Sequence, residues 1–179
     1  MDLRIQKTKQ SIFNAFIELR KEKPLSKITI KELVEKADIS KQTFYLHYND
    51  LYDLTEQIEE GLIEYISSDL PSYTNVLENI NLITIDFFKR ALSQRDLYRI
   101  VFSDTRVSSL TTGIEKKIKA AVFKERPELR ADLNTNIYLS FLIQGCYNSF
   151  QQYNSINVDE VVEILSSITK SITDNFYLK

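Results

Sequence analysis

The chain has few of the residues that break helices or build covalent and metal-bound sites. Its 179 residues include only three Gly, three Pro, one Cys and one His. So few Gly and Pro residues favour long helices with short connections and leave little room for a Gly-rich phosphate-binding loop. A single Cys excludes an internal disulfide and indicates a reducing compartment.

Long apolar runs are also missing. No such run follows Met1, so we expect no signal peptide, and no segment approaches the roughly 18 consecutive apolar residues of a membrane span. The apolar share of 43% and the charged share of 27% are those of an ordinary globular protein. These features predict a cytoplasmic helical protein with no membrane partner.

No set of residues in the sequence is typical of catalysis. The single His47 has no Cys near it in the sequence, so local spacing assembles neither a zinc site nor a Cys–His pair. Cys146 lies among apolar helix positions, where packing explains it better than nucleophilic chemistry. Acidic pairs such as Glu59–Glu60 are typical of solvated helix faces. We therefore expect no enzyme, no metal site and no cofactor.

Residues 28–48 contain two short helical patterns separated by a turn. Thr29 and Glu32 have the spacing of a capping box at the start of the first helix. Asp38 lies at the turn, where its tolerance of the left-handed backbone is useful, and Ser40 can cap the second helix. The first pattern buries a face at helical spacing that consists of Ile30, Leu33, Val34 and Ala37.

The second helix of this helix-turn-helix exposes an unusual set of side chains. Phe44 continues the buried face, and no acidic residue lies between Lys41 and Asn49. Cations and hydroxyls can bind phosphates, while amide and imidazole groups can bind base edges. This composition favours DNA over the alternative, a helical hairpin with a solvated polar face. The outward-facing residues are Lys41, Gln42, Thr43, Tyr45 and His47.

Residues 29–54 resemble the DNA-binding signature of the TetR family of bacterial one-component regulators. The matching parts are residues 29–33, the turn and recognition helix over 37–45, the His47–Tyr48 pair, and residues 50–54. The resemblance implies an all-α fold. A three-helix head over residues 1–49 would bind DNA, and a long helix would join it to a regulatory and dimerisation domain over residues 50–179.

The resemblance also implies a function. A homodimer would place one recognition helix per subunit in successive major grooves of a palindromic operator, and most members repress until an effector binds the C-terminal domain. Lys41 and Tyr45 would anchor phosphates, Gln42, Thr43 and His47 would contact base edges, and Lys31 would bind from the preceding helix. The expected DNA-binding residues are Lys31, Ser40, Lys41, Gln42, Thr43, Tyr45, His47 and Asn49.

The chain departs from the family pattern at three positions. Asp38 and Gln42 replace frequent Gly residues, and both are conformationally tolerable. Leu51 stands where the family often has a Lys that binds phosphate, which indicates weaker affinity. This departure keeps two alternatives open: a protein-interaction module of the same fold, and an activator that depends on a coactivator and has little DNA binding of its own.

The charge is unevenly distributed along the chain. Residues 1–49 hold ten Lys or Arg against six Asp or Glu, a net charge of +4, and the remainder carries −6. The N-terminal segment is therefore the part suited to a polyanion.

The C-terminal part is predicted to contain the partner and effector sites. The last two helices, at about 133–154 and 157–178, have more apolar surface than one inward face needs, and in this family such a pair forms a four-helix dimer interface. A monomer that buries both helices in its own core is the alternative. Aromatic residues between the helices can line a ligand pocket or fill a solid core. The pocket candidates are Phe87, Phe88, Tyr98, Phe102, Tyr138, Phe141, Gln144 and Tyr147. The same region also resembles the branch of the family that activates dihydroxyacetone metabolism with a kinase-like protein partner, so a protein effector stays open beside a small molecule.

Overall fold

Helices joined by short connections make up the described part of the chain. The computed structural model describes residues 3–102 and 107–177, and within these ranges there is no strand, which confirms the predicted all-α class. The helices of the described ranges are α1 (Leu3–Glu22), α2 (Ile30–Lys36), α3 (Lys41–Tyr45), α4 (Leu51–Ile66), α5 (Ile80–Ser93), α6 (Arg95–Val101), α7 (Val107–Glu125), α8 (Leu133–Tyr153) and α9 (Val158–Tyr177).

The chain divides into two compact units. The first consists of the described parts of Met1–Leu62 and Arg95–Val107, and the second of the described parts of Ile63–Gln94 and Ser108–Lys179. The predicted domains, residues 1–49 for DNA binding and 50–179 for regulation, were defined by function, and the division into compact units does not test them. They therefore stay predictions.

In the first unit, α1, α2, α3 and α6 pack around a core in which several side chains have no exposed surface. The guanidinium of Arg20, in α1, donates to the carbonyl of Ile100 in α6 at 3.1 Å. The hydroxyl of Tyr98 donates to the carbonyl of Leu62 at 2.6 Å. Since these partners lie far apart in the sequence, the two bonds attach α6 to α1 and α4. The core side chains with 0% exposure are Ile12, Phe16, Leu33, Phe44, Leu54 and Val101.

The second unit is built on α5 and α8, which both pack along α9. Buried hydroxyls accompany its apolar core, and each has a partner: Thr84 donates to the Ile80 carbonyl at 2.8 Å, and Thr173 to the Thr169 carbonyl at 2.7 Å. The Tyr138 hydroxyl shares a hydrogen bond with Thr173. The core members are Leu70, Val76, Leu77, Ile80, Ile83, Ile118, Val122, Phe123, Tyr138, Leu139, Leu142 and Ile143.

Two further helices, α4 and α9, are capped by the residues that the sequence favours for this role, Asp50 and Asn157. Asp50 accepts from the amides of Tyr52 and Asp53 at 2.7 and 2.8 Å, and Asn157 accepts from the Glu160 amide at 3.3 Å. One expectation is wrong. The sequence favours Ser108 or Ser109 as the amino-terminal cap of α7, but this helix already begins at Val107.

Candidate nucleic-acid interface

The first helix of the helix-turn-helix is held by a complete capping box. The Glu32 amide donates to Thr29 Oγ1 at 3.2 Å, and the Thr29 amide donates to Glu32 Oε2 at 3.0 Å. Lys23 also binds Glu32, with Nζ 2.6 Å from Oε1. This ammonium and the two Thr29 donors lower the pKa of Glu32 from 4.5 to about 2. The start of α2 is thus fixed by an ionised carboxylate.

The turn between α2 and α3 depends on one left-handed residue. Asp38 has φ of 54°, as the sequence predicts for this position. The chain then leaves α2 with the Ile39 amide donating to the Val34 carbonyl at 3.0 Å. Ser40 begins α3, because its Oγ accepts from the Thr43 amide at 3.0 Å. The two predicted caps and the predicted turn residue are therefore confirmed.

Phe44 anchors the short recognition helix α3 to the core. Its ring has no exposed surface and lies 5.5 Å from the ring of Tyr45 and 5.6 Å from that of Tyr48. Tyr48 is buried as well, which raises the pKa of its hydroxyl, and the ammonium of Lys9 lies 5.8 Å from its ring centre. Since α3 has only five residues, this aromatic packing fixes the direction of its outer face.

The α3 side chains predicted to contact DNA are exposed or half-buried, whereas Phe44 between them is fully buried. Lys41 and Gln42 are exposed, and the side chain of Tyr45 is 56% exposed. Thr43 and His47 are half-buried, and the Thr43 hydroxyl lies 2.9 Å from Ser40 Oγ. The structure thus brings these residues together on one surface, while their DNA contacts stay predictions.

Two of the other predicted DNA-binding residues already have partners within the chain. Lys31 Nζ lies 3.9 Å from Glu35 Oε1, and both side chains are more than 60% exposed, so this ion pair contributes little and leaves Lys31 accessible. Asn49 is more firmly engaged. Its backbone amide and its Nδ2 donate to Asp53 Oδ2 at 2.7 and 2.9 Å.

The amino terminus of α4 is occupied by the chain's own carboxylates. A helix amino terminus normally offers free amides and a positive dipole to a phosphate. Here Asp50 accepts from two amides of the first turn, and Asp53 binds Asn49. The Asn49 amide and Gln57 lower the pKa of Asp53, which keeps it anionic. Together with Leu51, these acids make this end of α4 a poor phosphate site.

Sequence reasoning missed two large exposed side chains that follow the buried Phe44 in the sequence. Leu46 caps the carboxyl end of α3 and is 76% exposed, and Tyr52 on α4 is 58% exposed. The signal was present in the sequence, because a position two residues after the buried Phe44 falls on the opposite side of a helix. An exposed Leu on an otherwise polar face has no role in the core.

A basic depression lies beside the turn in the first unit. It is lined by the amino-terminal part of α1, including Arg4 and Lys7, and by Ala37, Asp38 and Ile39. The first-unit surface therefore carries positive charge on α1 as well as on α3. The family resemblance implies phosphate contacts for the α1 cations, and a solvated basic face is an equal alternative.

The eight predicted pocket residues lie in different environments. Tyr98 and Phe102 are buried in the first unit with their rings stacked 5.8 Å apart. The other six belong to the second unit, where Phe88 stacks on Phe150 at 4.4 Å and Tyr138 is bonded to Thr173. The two at the surface, Phe141 and Gln144, border a depression on α8, whereas Phe87, Phe88 and Tyr147 are half-buried. A ligand role for this set stays a prediction.

The described residues contain neither a metal-binding cluster nor a membrane-spanning helix. Within residues 3–102 and 107–177, no group of three or more His, Cys, Asp and Glu side chains is arranged to hold a metal ion. Over the same ranges, no helix combines the length and the apolar character needed to cross a bilayer. Burial raises the pKa of the Cys146 thiol to about 11, so it is a weak nucleophile.

Comparison with known proteins shows a partial similarity to a regulator. No family model matches the chain. Over 68 residues, or 38% of its length, the chain is 29% identical to the uncharacterized HTH-type transcriptional regulator YxbF of Bacillus subtilis (strain 168). The matched part covers only 18% of that protein. The similarity supports a helix-turn-helix regulator in general and does not point to the TetR family specifically.

Proposed function

We propose that this chain is a DNA-binding transcriptional regulator of the TetR type, and specifically a repressor that binds a palindromic operator as a homodimer. In this proposal residues 1–49 bind the duplex and residues 50–179 dimerise and receive an effector. Such a regulator would act in the cytoplasm. The regulator YxbF, which is similar over part of the chain, supports the general class.

The outer face of α3 is the observation that carries the proposal. Buried Phe44 fixes the helix, and Lys41, Gln42 and Tyr45 are presented to solvent on the other side. A helix of this kind fits the major groove, where Lys and Tyr bind phosphates and Gln forms a two-point contact with adenine. Leu46 adds an apolar group that suits the methyl of thymine.

Dimerisation is supported by two exposed apolar faces in the second unit. On α8 the exposed residues are Leu133, Ile137 and Phe141, at 70%, 59% and 68%, and they repeat every four positions. On α9 Ile164 and Ile168 are 51% and 47% exposed. Exposed apolar surface of this regularity is typical of a protein–protein interface. In the dimer, half-site centres would lie about 34–36 Å apart, one turn of the duplex.

Release of the operator requires an effector that prefers one arrangement of the dimer. A small molecule or a protein that bound both arrangements equally would shift nothing, however tightly it bound. The half-buried aromatics of the second unit, including Phe87, Phe88 and Tyr147, are the candidate contacts for a small molecule.

Selection from a random duplex pool followed by fluorescence anisotropy tests the function. We expect the full chain to enrich a palindromic sequence and to bind it at least about a thousandfold more tightly than a scrambled duplex. Affinity should fall steeply between 50 and 200 mM salt. Failure to enrich any sequence, with equal weak binding to all duplexes, would contradict the proposal.

A second function is favoured by the amino terminus of α4. Leu51 supplies no cation there, and Asp50 and Asp53 occupy the end of the helix. These features suit a same-fold interaction module, or an activator that binds DNA only with a coactivator. The same selection discriminates between the candidates, because the module would show no retention at low or moderate salt.

A further inference from the structure

One glycine in the second unit has no explanation among the described residues of its own chain. Gly145 lies inside the 21-residue helix α8, where Gly costs about 1 kcal/mol relative to Ala. It does not adopt a positive φ, and a Cβ placed on it would meet no described atom within 4 Å. Neither backbone conformation nor packing among the described residues therefore requires a glycine here.

Gly113 shows the contrast. A Cβ on this glycine would overlap the side chain of Ile63, so the close approach of α4 explains its presence. Gly61 resembles Gly145 because its added Cβ would also meet nothing, but it is exposed between Glu60 and Glu64. Gly145 differs from Gly61 because it is half-buried and lies beside two exposed apolar side chains, Ile137 and Phe141.

Gly145 lies in a shallow depression, the hole, next to an exposed side chain, the knob, which is Phe141. This depression of about 630 Å³ extends along the outer face of α8, and Gly145 and Phe141 are both among the residues that line it. Phe141, one helical turn earlier on the same face, is 68% exposed. An apolar cavity of about 150 Å³ already holds a benzene ring, so the depression has room for an aromatic side chain.

Charge does not oppose the approach of an identical surface. The one cation that lines the depression, Lys119, has its Nζ 2.7 Å from Glu115 Oε1 and donates to Ser140 Oγ at 3.1 Å. The other lining groups are uncharged. Two copies can therefore bring this face together without like-charge repulsion.

We propose that α8 packs against α8 of a second copy so that Phe141 of each copy inserts over Gly145 of the other. A twofold axis close to position 143 brings position 141 of one copy opposite position 145 of its partner, and both knobs then meet holes, as a self-complementary contact requires. The missing side chain at Gly145 provides the space for the ring. This contact rests on the proposed homodimer and specifies where its two subunits meet.

Sedimentation equilibrium of the full chain tests the contact. Phe141→Ala removes the knob, Gly145→Leu fills the hole, and Gly61→Leu is the control for an exposed helical glycine outside the contact. We expect each of the first two variants to raise the dimer dissociation constant at least tenfold and the control to change it less than twofold. Open space around Gly145 within the chain means that its variant still folds, which circular dichroism verifies.

A cross-linking experiment tests the pairing directly. Two differently tagged variants, Phe141→Cys and Gly145→Cys, each also carrying Cys146→Ala, are mixed and oxidised. We expect the mixed disulfide to exceed either disulfide between identical copies. A wild-type chain that stays monomeric at tens of micromolar overturns both the homodimer and this contact. A wild-type dimer that tolerates Phe141→Ala and Gly145→Leu, or that yields mainly 141–141 disulfides, overturns the contact alone.

Discussion

Asn49 binds the carboxylate of Asp53 with both of its nitrogens, at 2.7 Å from the backbone amide and 2.9 Å from Nδ2. Asn49 is one of the residues expected to contact DNA, and the structure gives its side chain an anionic partner. The carboxylate lies at the amino terminus of α4, a position that would otherwise favour binding of a phosphate. Asp53 is therefore expected to weaken binding to any duplex.

Replacing Asp53 by Asn tests that expectation. Removing one negative charge near the phosphate backbone should raise the affinity for every duplex, by at most roughly fivefold at low salt. Fluorescence anisotropy at several salt concentrations measures the gain, and it should shrink as salt increases. Asp159→Asn, which removes an exposed acid from α9, should have no effect. Equal behaviour of the two variants would mean that Asp53 faces away from the duplex.

Lys41 and Gln42 are neighbours on α3 with different expected roles. Lys41→Ala should weaken binding to all sequences and reduce the magnitude of the salt slope by about one, because one phosphate contact is lost. Gln42→Ala should cost about 1–3 kcal/mol on the preferred sequence and much less on others. Anisotropy titrations on selected and scrambled duplexes separate the two patterns. Lys124→Ala serves as the control for an exposed cation outside the first unit.

Leu46 is expected to contact a thymine methyl. Burying one methyl group is worth about 0.8 kcal/mol, so replacing the contacted thymine by uracil should weaken wild-type binding about fourfold. The Leu46→Ala variant should lose this sensitivity. Single thymine-to-uracil replacements across the selected operator provide the measurement. If the wild type responds to none of them, Leu46 does not contact a thymine methyl.

The capping box predicts an acid-sensitive helix-turn-helix. Because Lys23 and Thr29 lower the pKa of Glu32 to about 2 from 4.5, folding is favoured by its ionised form. This contribution is fully present above about pH 4.5 and disappears as pH falls towards 2. Glu32→Gln should destabilise the protein at pH 7, and the difference from wild type should shrink below pH 4.5. Urea denaturation across this pH range measures it.

Glu35→Gln is the control for this pH dependence, since it removes a carboxylate from the same helix that takes no part in the cap. Its difference from wild type should be small throughout. A Glu32→Gln difference that stays constant from pH 7 to pH 3 would contradict the proposed role of the ionised carboxylate.

Two helical glycines should respond oppositely to the same substitution. Gly61→Ala places a Cβ in open space and should stabilise the protein by up to about 1 kcal/mol, the gain in helix propensity. Gly113→Ala makes the same gain but forces the side chain of Ile63 to move, and overpacking costs about 1–3 kcal/mol. We expect a net loss of about 1 kcal/mol in the free energy of unfolding from urea denaturation. A stabilised Gly113→Ala variant would mean that Ile63 adjusts freely.

Much of the candidate interface was predictable because it depends on short-range interactions. The Thr29–Glu32 box, the left-handed Asp38, the Ser40 cap and the buried Phe44 each involve residues within a few positions of one another. Leu46 was missed because apolar side chains were assigned to the buried face, and only polar or aromatic residues were expected on the outer face. The engagement of Asn49 was missed because its amide was assigned to DNA without considering Asp53, four residues later.

The sequence by itself determined the helices, their caps and the outer face of α3, since hydrophobic periodicity and capping act within about one helical turn. Only the tertiary structure decided which distant segments meet. It joined α6 to α1 through Arg20 and Ile100, which are 80 positions apart, and it made Tyr98 and Phe102 part of the first compact unit and the other six predicted pocket residues part of the second. It also left Phe141 and Gly145 uncovered on α8. Such outcomes depend on packing between surfaces that no local pattern encodes.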